Sequence, residues 1–462
     1  MALRPGEEIL RDSKPFCYYV NPRYRKIVCG WCLKMRPKGI GTCSKCKFVS
    51  FCNKRCQEEA WKSHHKLECK YLQKMSCTLE RMELSSDKKA IAEEDFCRVL
   101  AIILKLKNNG GEEFFQLPDG KKRYYATMSS HAEDITRELE NAKELIAGFK
   151  NYHQVFELWL GNIAPTFNEY VEIQGKWILN STFLISNDLA ELPTIVGRGL
   201  YLGLSCLNHS CTPNATVINL GKEIVVRAIE DVENFSTVRI EHNIDVTKNS
   251  RERKRQLKKI YHSDCKCERC EDPNSDAKFK SLKCKRCSGW VYESTKICSQ
   301  CNQKSNFDKE ELAIIEKYKN GTLPIVRPTM TVETIGFVLT RYAKIFHPFH
   351  EIFRKFSDQL GLYPNTPMVS CICDPDSISI ELEARKLFIQ HFAGHNLNIV
   401  QLGAENLNIA NICRVLELYD QAEFYLKEAE EIFKVSLDNA HPYMYSFLHF
   451  KMNLHFALTG LK

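Results

Sequence analysis

The sequence predicts an α+β protein of about three domains, and three observations carry that expectation. Short apolar runs closed by polar turns read as strands, among them Trp177–Ile185, Gly199–Asn214, Glu223–Ala228 and Thr237–Asn243. Long stretches of helical periodicity run from about Ser85 to Glu157 and from about Asp308 to the end, for example Phe96, Val99, Leu100, Ile103 and Leu104 on one stripe. Twenty-two cysteines fall in tight groups rather than singly. A length of 462 residues with 44% hydrophobic and 26% charged residues allows a sizeable core.

Composition narrows the function classes. A formal charge of +8 over this length permits an acidic partner without demanding one. The opening MALRPGEEIL has no apolar core of a secretory leader, so the expected compartment is reducing and the cysteines read as metal ligands rather than disulfides. LAIILKL, among the longest apolar runs, is interrupted by Lys105, so no membrane partner is expected.

Taken in order, Leu3–Val20 holds a Pro-Gly turn, a strand and a second extended piece. Ligand-type residues then arrive as Cys29-x2-Cys32, Cys43-x2-Cys46, Cys52-x3-Cys56 and His65-x3-Cys69, with His64 as a rival to His65. Eight soft donors suffice for two tetrahedral zinc ions, and i, i+4 pairs on a helix share a face, so Cys52 with Cys56 and His65 with Cys69 can each pinch a metal. The segment is too small to bury much core, so the metal supplies its folding energy. It lacks the C2H2 spacing of a DNA-reading finger, which makes direct DNA binding the weaker reading. The helical stretch that follows is broken at Gly110-Gly111 and at the Leu117-Pro-Asp-Gly turn.

The central stretch GLYLGLSCLNHSCTPN ends in Asn208-His209-Ser210-Cys211, a polar cluster that needs a reason at the end of an apolar strand. Fifty-four residues on, Cys265-x-Cys267-x2-Cys270 offers three thiols, and Cys211 completes the tetrad of a third zinc site. Cys284-x2-Cys287 and Cys298-x2-Cys301 make a zinc ribbon and a fourth ion. Between them, Lys248–Lys259 holds seven basic residues and one acid, read as a solvated helix. Seven cysteines remain, at 17, 77, 97, 206, 371, 373 and 413, read as buried or unpaired thiols. Ile412 to Leu426 reads as two antiparallel helices with alanine at the crossing.

NHSC-x-PN followed by C-x-C-x2-C resembles the core of a SET domain, the lysine methyltransferase fold, and the earlier cysteine cluster resembles a MYND zinc finger. Together, over nearly the whole chain, they resemble the SET and MYND domain family. The resemblance implies a SET-domain β-core split by the finger and a helical insertion, with a post-SET zinc site, a zinc ribbon and an all-α TPR-like C-terminal domain. The implied boundaries are 1–25 for the entry strands, 26–72 for the finger, 73–165 for the insertion, 166–247 for the core, 248–273 for post-SET, 280–305 for the ribbon and 306–462 for the helical domain. The family's Gly-x-Gly loop lies upstream of the Pro-Gly turn and is absent here; Gly39-Ile-Gly41 and Gly197-Arg-Gly199 are in the wrong places to replace it.

Site residues follow from the same resemblance. The finger's ligands interleave, Cys29, Cys32, Cys52 and Cys56 on one ion and Cys43, Cys46, His65 and Cys69 on the other, although the chain has an extra residue after Trp61. S-adenosylmethionine would be held by Asn208, His209 and Tyr261, with Ser205, His131 and Asn180. Asn180 stands in Asn-Ser-Thr-Phe183, one residue longer than the family's Asn-x-Phe, and Ser263 replaces a phenylalanine near the adenine. Asn243 occupies the place of the tyrosine whose hydroxyl abuts the acceptor nitrogen, and adjacent His242 is expected on the opposite face of a strand. Gln57 and Trp61, one turn apart, match a groove for proline-rich peptides. The implied function is S-adenosylmethionine-dependent protein (histone) lysine N-methylation, nuclear and cytoplasmic, with impaired activity. The alternative is a catalytically inactive scaffold that binds proline-rich peptides and partner proteins in regulation of transcription.

Overall fold

The computed structural model describes residues 2–36, 38–81, 85–141, 143–186, 194–272, 274–323, 332–360, 375–394, 399–439 and 441–459. Cys371 and Cys373 lie outside them.

Two small antiparallel sheets form the β-core. In one, Glu223–Ala228 lies between Glu8–Asp12 and Ala215–Leu220; in the other, Ile195–Leu200 lies between Cys17–Val20 and Ser181–Ile185. Gly197 is required in that central strand, because a Cβ there would stand 2.2 Å from the carbonyl oxygen of Tyr19. The Gly197-Arg-Gly199 triplet is therefore a packing feature. Leu10, Leu184, Val196, Leu204, Leu207, Val226 and Ile240 fill a shared core between the sheets.

A third pairing is parallel. Asn208–His209 runs beside Arg239–Ile240, and Asn214 ties the second segment beneath the first. Its side chain accepts from the Arg239 N–H at 2.7 Å and donates to the Thr237 carbonyl at 3.0 Å, while Ser210 N–H donates to Ile240 O at 3.0 Å.

Trp177–Ile185 is not one strand. Trp177 to Asn180 closes the helix Phe167–Asn180, and the strand starts at Ser181. A reciprocal cap between Thr166 and Glu169 starts that helix, and the buried run Tyr170, Val171, Ile173, Gln174 and Trp177 has helical rather than alternating spacing. The Leu117–Gly120 turn joins a hairpin, Phe114–Gln116 with Lys122–Tyr124. The helices Ser86–Lys107, Ala132–Asn141 and Lys143–Leu160 pack against the helix Phe167–Asn180.

From Asp308 the described residues are helical. Ile399–Val415 and Tyr419–Ser436 form an antiparallel pair with Ala410, Ala422 and Ala429 fully buried, the close crossing that alanine permits. No helix among the described residues is long and apolar enough to cross a membrane.

Beyond the backbone pairing, the Asn214 side chain ties the threaded segment in place. Asn214→Ala leaves the backbone groups of Thr237 and Arg239 without their partners. It is expected to cost about 1–3 kcal/mol, read as a lowered denaturant midpoint with an unchanged slope.

Candidate functional site

Sixteen soft donors gather into four groups: Cys29, Cys32, Cys52 and Cys56; Cys43, Cys46, His65 and Cys69; Cys211, Cys265, Cys267 and Cys270; Cys284, Cys287, Cys298 and Cys301. Within each, the donor atoms all lie within 4.8 Å of one another. A tetrahedral zinc with bonds of about 2.3 Å needs sulfurs about 3.8 Å apart. The observed separations fit: Cys32 to Cys52 is 3.7 Å, Cys43 to Cys69 is 3.9 Å, Cys211 to Cys270 is 3.6 Å and Cys284 to Cys301 is 3.8 Å.

Local structure in the finger differs from the expectation in one respect. Cys52 is not on a helix with Cys56; it precedes the cap Asn53, whose side chain accepts from the Cys56 N–H, and the helix runs Lys54–Ala60. The cap turn carries Cys52 inward so that its sulfur still lies 3.4 Å from that of Cys56.

The extra residue after Trp61 is absorbed by a π-helical turn over Trp61–His65, which rotates His65 back onto the face of Cys69. His65 is buried, with Nε2 3.7 Å from Cys46 Sγ and Nδ1 2.8 Å from the Glu68 carboxylate. Glu68 orients the ligand ring; an acid three residues on was the sequence signal for it. His64 instead packs between Tyr18 and Trp31. Gln57 is exposed, while Trp61 sets its ring against His65 at 5.8 Å with 37% of its surface open, covering the metal lobe and leaving a free aromatic face.

One cleft of about 770 Å³ collects the residues assigned to the cofactor: Ser205, Asn208, His209, Asn180, His131 and Tyr261 all line it, as do Asn243 and Ser263. They come from separate segments. Asn180, at the end of its helix, donates to the carbonyls of Ser129 at 3.0 Å and Lys176 at 2.7 Å. Gly175 lets the Ser129–His131 turn rest on that helix, since a Cβ there would meet Ser130 O at 1.9 Å. His131 is not on a helix; it precedes Ala132–Asn141 in a left-handed conformation, its ring stacked on His262. Ser205 accepts from Arg123 Nε at 3.0 Å.

His242 and Asn243 both line the cleft. The strand ends at Ile240, so alternation no longer holds, and the His242 ring packs between His209 and Tyr261. Its backbone N–H donates to His209 Nδ1 at 3.1 Å, which places the His209 proton on Nε2, 3.3 Å from Cys211 Sγ. Burial, and then the neighbouring ring, push His209 down to about 3; burial also lowers His242. Both imidazoles are neutral at pH 7. The Tyr261 hydroxyl accepts from the Asn243 N–H at 3.1 Å, and burial raises its pKa. Ser129, Ser181 and Phe183 also line the cleft; sequence reading missed them because chain order does not show which loop closes on which.

The basic helix is Ser250–Tyr261, and its basic side chains are exposed except Arg253, which is fully buried with Nη2 3.4 Å from Cys270 Sγ. Burial acts to lower its pKa, and the thiolates of Cys211 and Cys270 outweigh that and raise it.

The donor sets assign metal content by residue. Elemental analysis of folded protein is expected to return four zinc ions per chain. His65→Ala should return three and His64→Ala four, because only His65 faces a thiol set.

Comparison with known proteins agrees with this geometry. Residues 29–69 match the family described as MYND finger. The chain is 31% identical over 278 residues to histone-lysine N-methyltransferase SMYD3 of Homo sapiens, a match covering 60% of this chain and 58% of that protein. It is 26% identical over 277 residues to N-lysine methyltransferase SMYD2-B of Danio rerio, again 60% and 58%. Against histone-lysine N-methyltransferase SMYD1 of Homo sapiens it is 25% identical over 388 residues, 74% of this chain and 73% of that one. The matched region thus spans less than two thirds of the length of the first two. With a matching finger, methyltransferase relatives and four soft-donor clusters, the chain is similar to proteins of the SET and MYND domain family.

Proposed function

We propose that the cleft binds S-adenosylmethionine and that the protein is a zinc-dependent protein-lysine N-methyltransferase of reduced activity. The observation that carries this reading is the convergence of Asn180, Ser205, Asn208, His209, His131 and Tyr261, from segments far apart in sequence, on one cleft. The two three-stranded sheets and the threaded strand are read as a SET core interrupted by the finger and the helical insertion. The C-terminal helices are read as a TPR-like arm, and Gln401 brings that arm to the cleft wall.

Bound there, S-adenosylmethionine supplies an electrophilic methyl group on a sulfonium. Transfer to an amine is an in-line displacement, so the protein's part is positioning and electrostatics. Asn208 and His209 would hold the cofactor, with His131, Asn180 and Ser205 around it. The neutral rings of His209 and His242 add no positive charge beside a cationic group. Tyr261 closes the far wall. Asn243 offers an amide where the family has a phenol, and that amide donates to the Ser181 carbonyl at 3.4 Å. This single substitution favours the second reading, a catalytically silent scaffold working through the finger and the arm.

Calorimetric titration of S-adenosylmethionine into zinc-loaded protein separates the two. Binding that Asn208→Ala weakens tenfold or more, by roughly one hydrogen bond to a charged group, supports the enzyme; no detectable heat leaves the scaffold. Where cofactor binds, Asn243→Tyr should raise turnover on a lysine peptide by roughly a hundredfold. Under either reading, Trp61→Ala should abolish binding of a proline-rich peptide while the zinc content stays at the wild-type value, measured by fluorescence titration and elemental analysis.

A further inference from the structure

Arg198 belongs to the central strand Ile195–Leu200, paired with Phe183 on one side and Tyr19 on the other. Residues paired across strands share a face. Its Cζ stands 5.2 Å from the centre of the Phe183 ring, and Phe183 lines the cleft. Nη2 donates to the Ser181 carbonyl at 3.3 Å, and Asn243 Nδ2 donates to that same oxygen at 3.4 Å. A guanidinium and the Asn243 amide thus meet on one acceptor, at the position that the family resemblance gives to the incoming amine.

The charge is only partly compensated, by the Glu94 carboxylate. Arg198 Nε is buried without a hydrogen-bond partner, as is the Ser181 hydroxyl beside it. Among the described residues Arg198 makes no ion pair. The carboxylates on the packed helix Ser86–Lys107 are engaged by others: Glu94 accepts from the Tyr19 hydroxyl and from Asn21, and Asp95 holds Arg98, Tyr170 and Gln174. Arg98 adds a second positive charge within electrostatic reach, and the Glu94 carboxylate acts the other way. Burial pulls the Arg198 pKa down, but a guanidinium keeps its charge at neutral pH.

We infer that Arg198 is a specificity-determining residue: its fixed positive charge, set behind the Phe183 and Ser181 wall of the acceptor end of the cleft, disfavours a lysine ammonium there and favours a side chain of similar shape without positive charge. The inference rests on the reading of this end of the cleft as the acceptor site. It also gives a physical reason for reduced activity independent of Asn243, since a substrate lysine must shed its proton before it enters.

The test uses the full zinc-loaded chain and two sets of histone-tail peptides, one with lysine and one with norleucine at the same position. Both sets are titrated by calorimetry into wild type, Arg198→Gln and Arg198→Leu, with zinc content and melting temperature as checks of folding. Wild type is expected to bind the norleucine form roughly tenfold or more tighter than the lysine form. Both variants should bring that ratio close to one. The Gln variant keeps a donor for the Ser181 carbonyl, so a merely structural role would leave the ratio unchanged in it. A wild-type ratio near one, or a ratio that persists in both variants, overturns the inference. S-adenosylmethionine is titrated separately: absence of cofactor heat with a ratio that the variants abolish removes the methyl-transfer reading and leaves the role of Arg198 standing.

Discussion

The cleft depends on the thiol tetrad of Cys211, Cys265, Cys267 and Cys270. Cys211 lies two residues beyond His209, and the other three follow the helix that carries Tyr261, so one metal pins both walls of the cleft to each other. Four thiolates around a divalent ion leave a formal charge of −2. Two buried guanidiniums offset it. Arg253 sits on Cys270, and Arg269 donates to the backbone carbonyls of Cys211 at 3.4 Å and Val246 at 2.8 Å. Burial lowers Arg269 to about 10, still charged at neutral pH. A basic run that sequence reading treats as solvated surface therefore contains the counter-charge of a metal site.

What was legible in the sequence is what spacing controls. Ligand pairs could be read from Cys-x2-Cys, Cys-x3-Cys, His-x3-Cys and Cys-x-Cys-x2-Cys spacings because a tetrahedral ion needs few residues at short, fixed separations, while the interleaved sharing of the finger's pairs came from the family resemblance. Periodicity located the C-terminal helix pair for the same reason, with Ala422 at the crossing. What was not legible depends on contacts between segments. The boundary at Asn180 was misread because Trp177–Leu179 and Phe183–Ile185 are both apolar, and apolar content alone does not separate the last turn of a buried helix from a strand. The facing of His242 was argued from strand alternation extended two residues past the point where pairing ends, where alternation no longer applies.

The finger shows how a one-residue difference is accommodated without loss of ligand geometry. An added residue in an α-helix turns everything after it by about 100°, which would carry His65 off the metal. Widening one turn to π spacing returns it, and Trp61 then packs on the ligand ring from outside. The same turn directs His64 into the contact with Tyr18 and Trp31, so the two adjacent histidines serve the metal and the interface with the β-core respectively.

The two ends of the cleft differ in charge for separate structural reasons. At the His209 end, a backbone donor on Nδ1 and a thiolate beside Nε2 fix one neutral tautomer, and burial keeps the ring neutral well below physiological pH. A cation can approach that wall without repulsion. At the Ser181 end, the carbonyl that would otherwise draw an ammonium is already shared by Asn243 and a guanidinium that cannot titrate away. A group able to accept a hydrogen bond from an amine is present, but its lone pairs are committed to donors of the protein's own. Discrimination at this end follows from that commitment: an incoming ammonium must displace one of these donors and face the guanidinium's charge, whereas a neutral side chain needs only the apolar contact that Phe183 supplies.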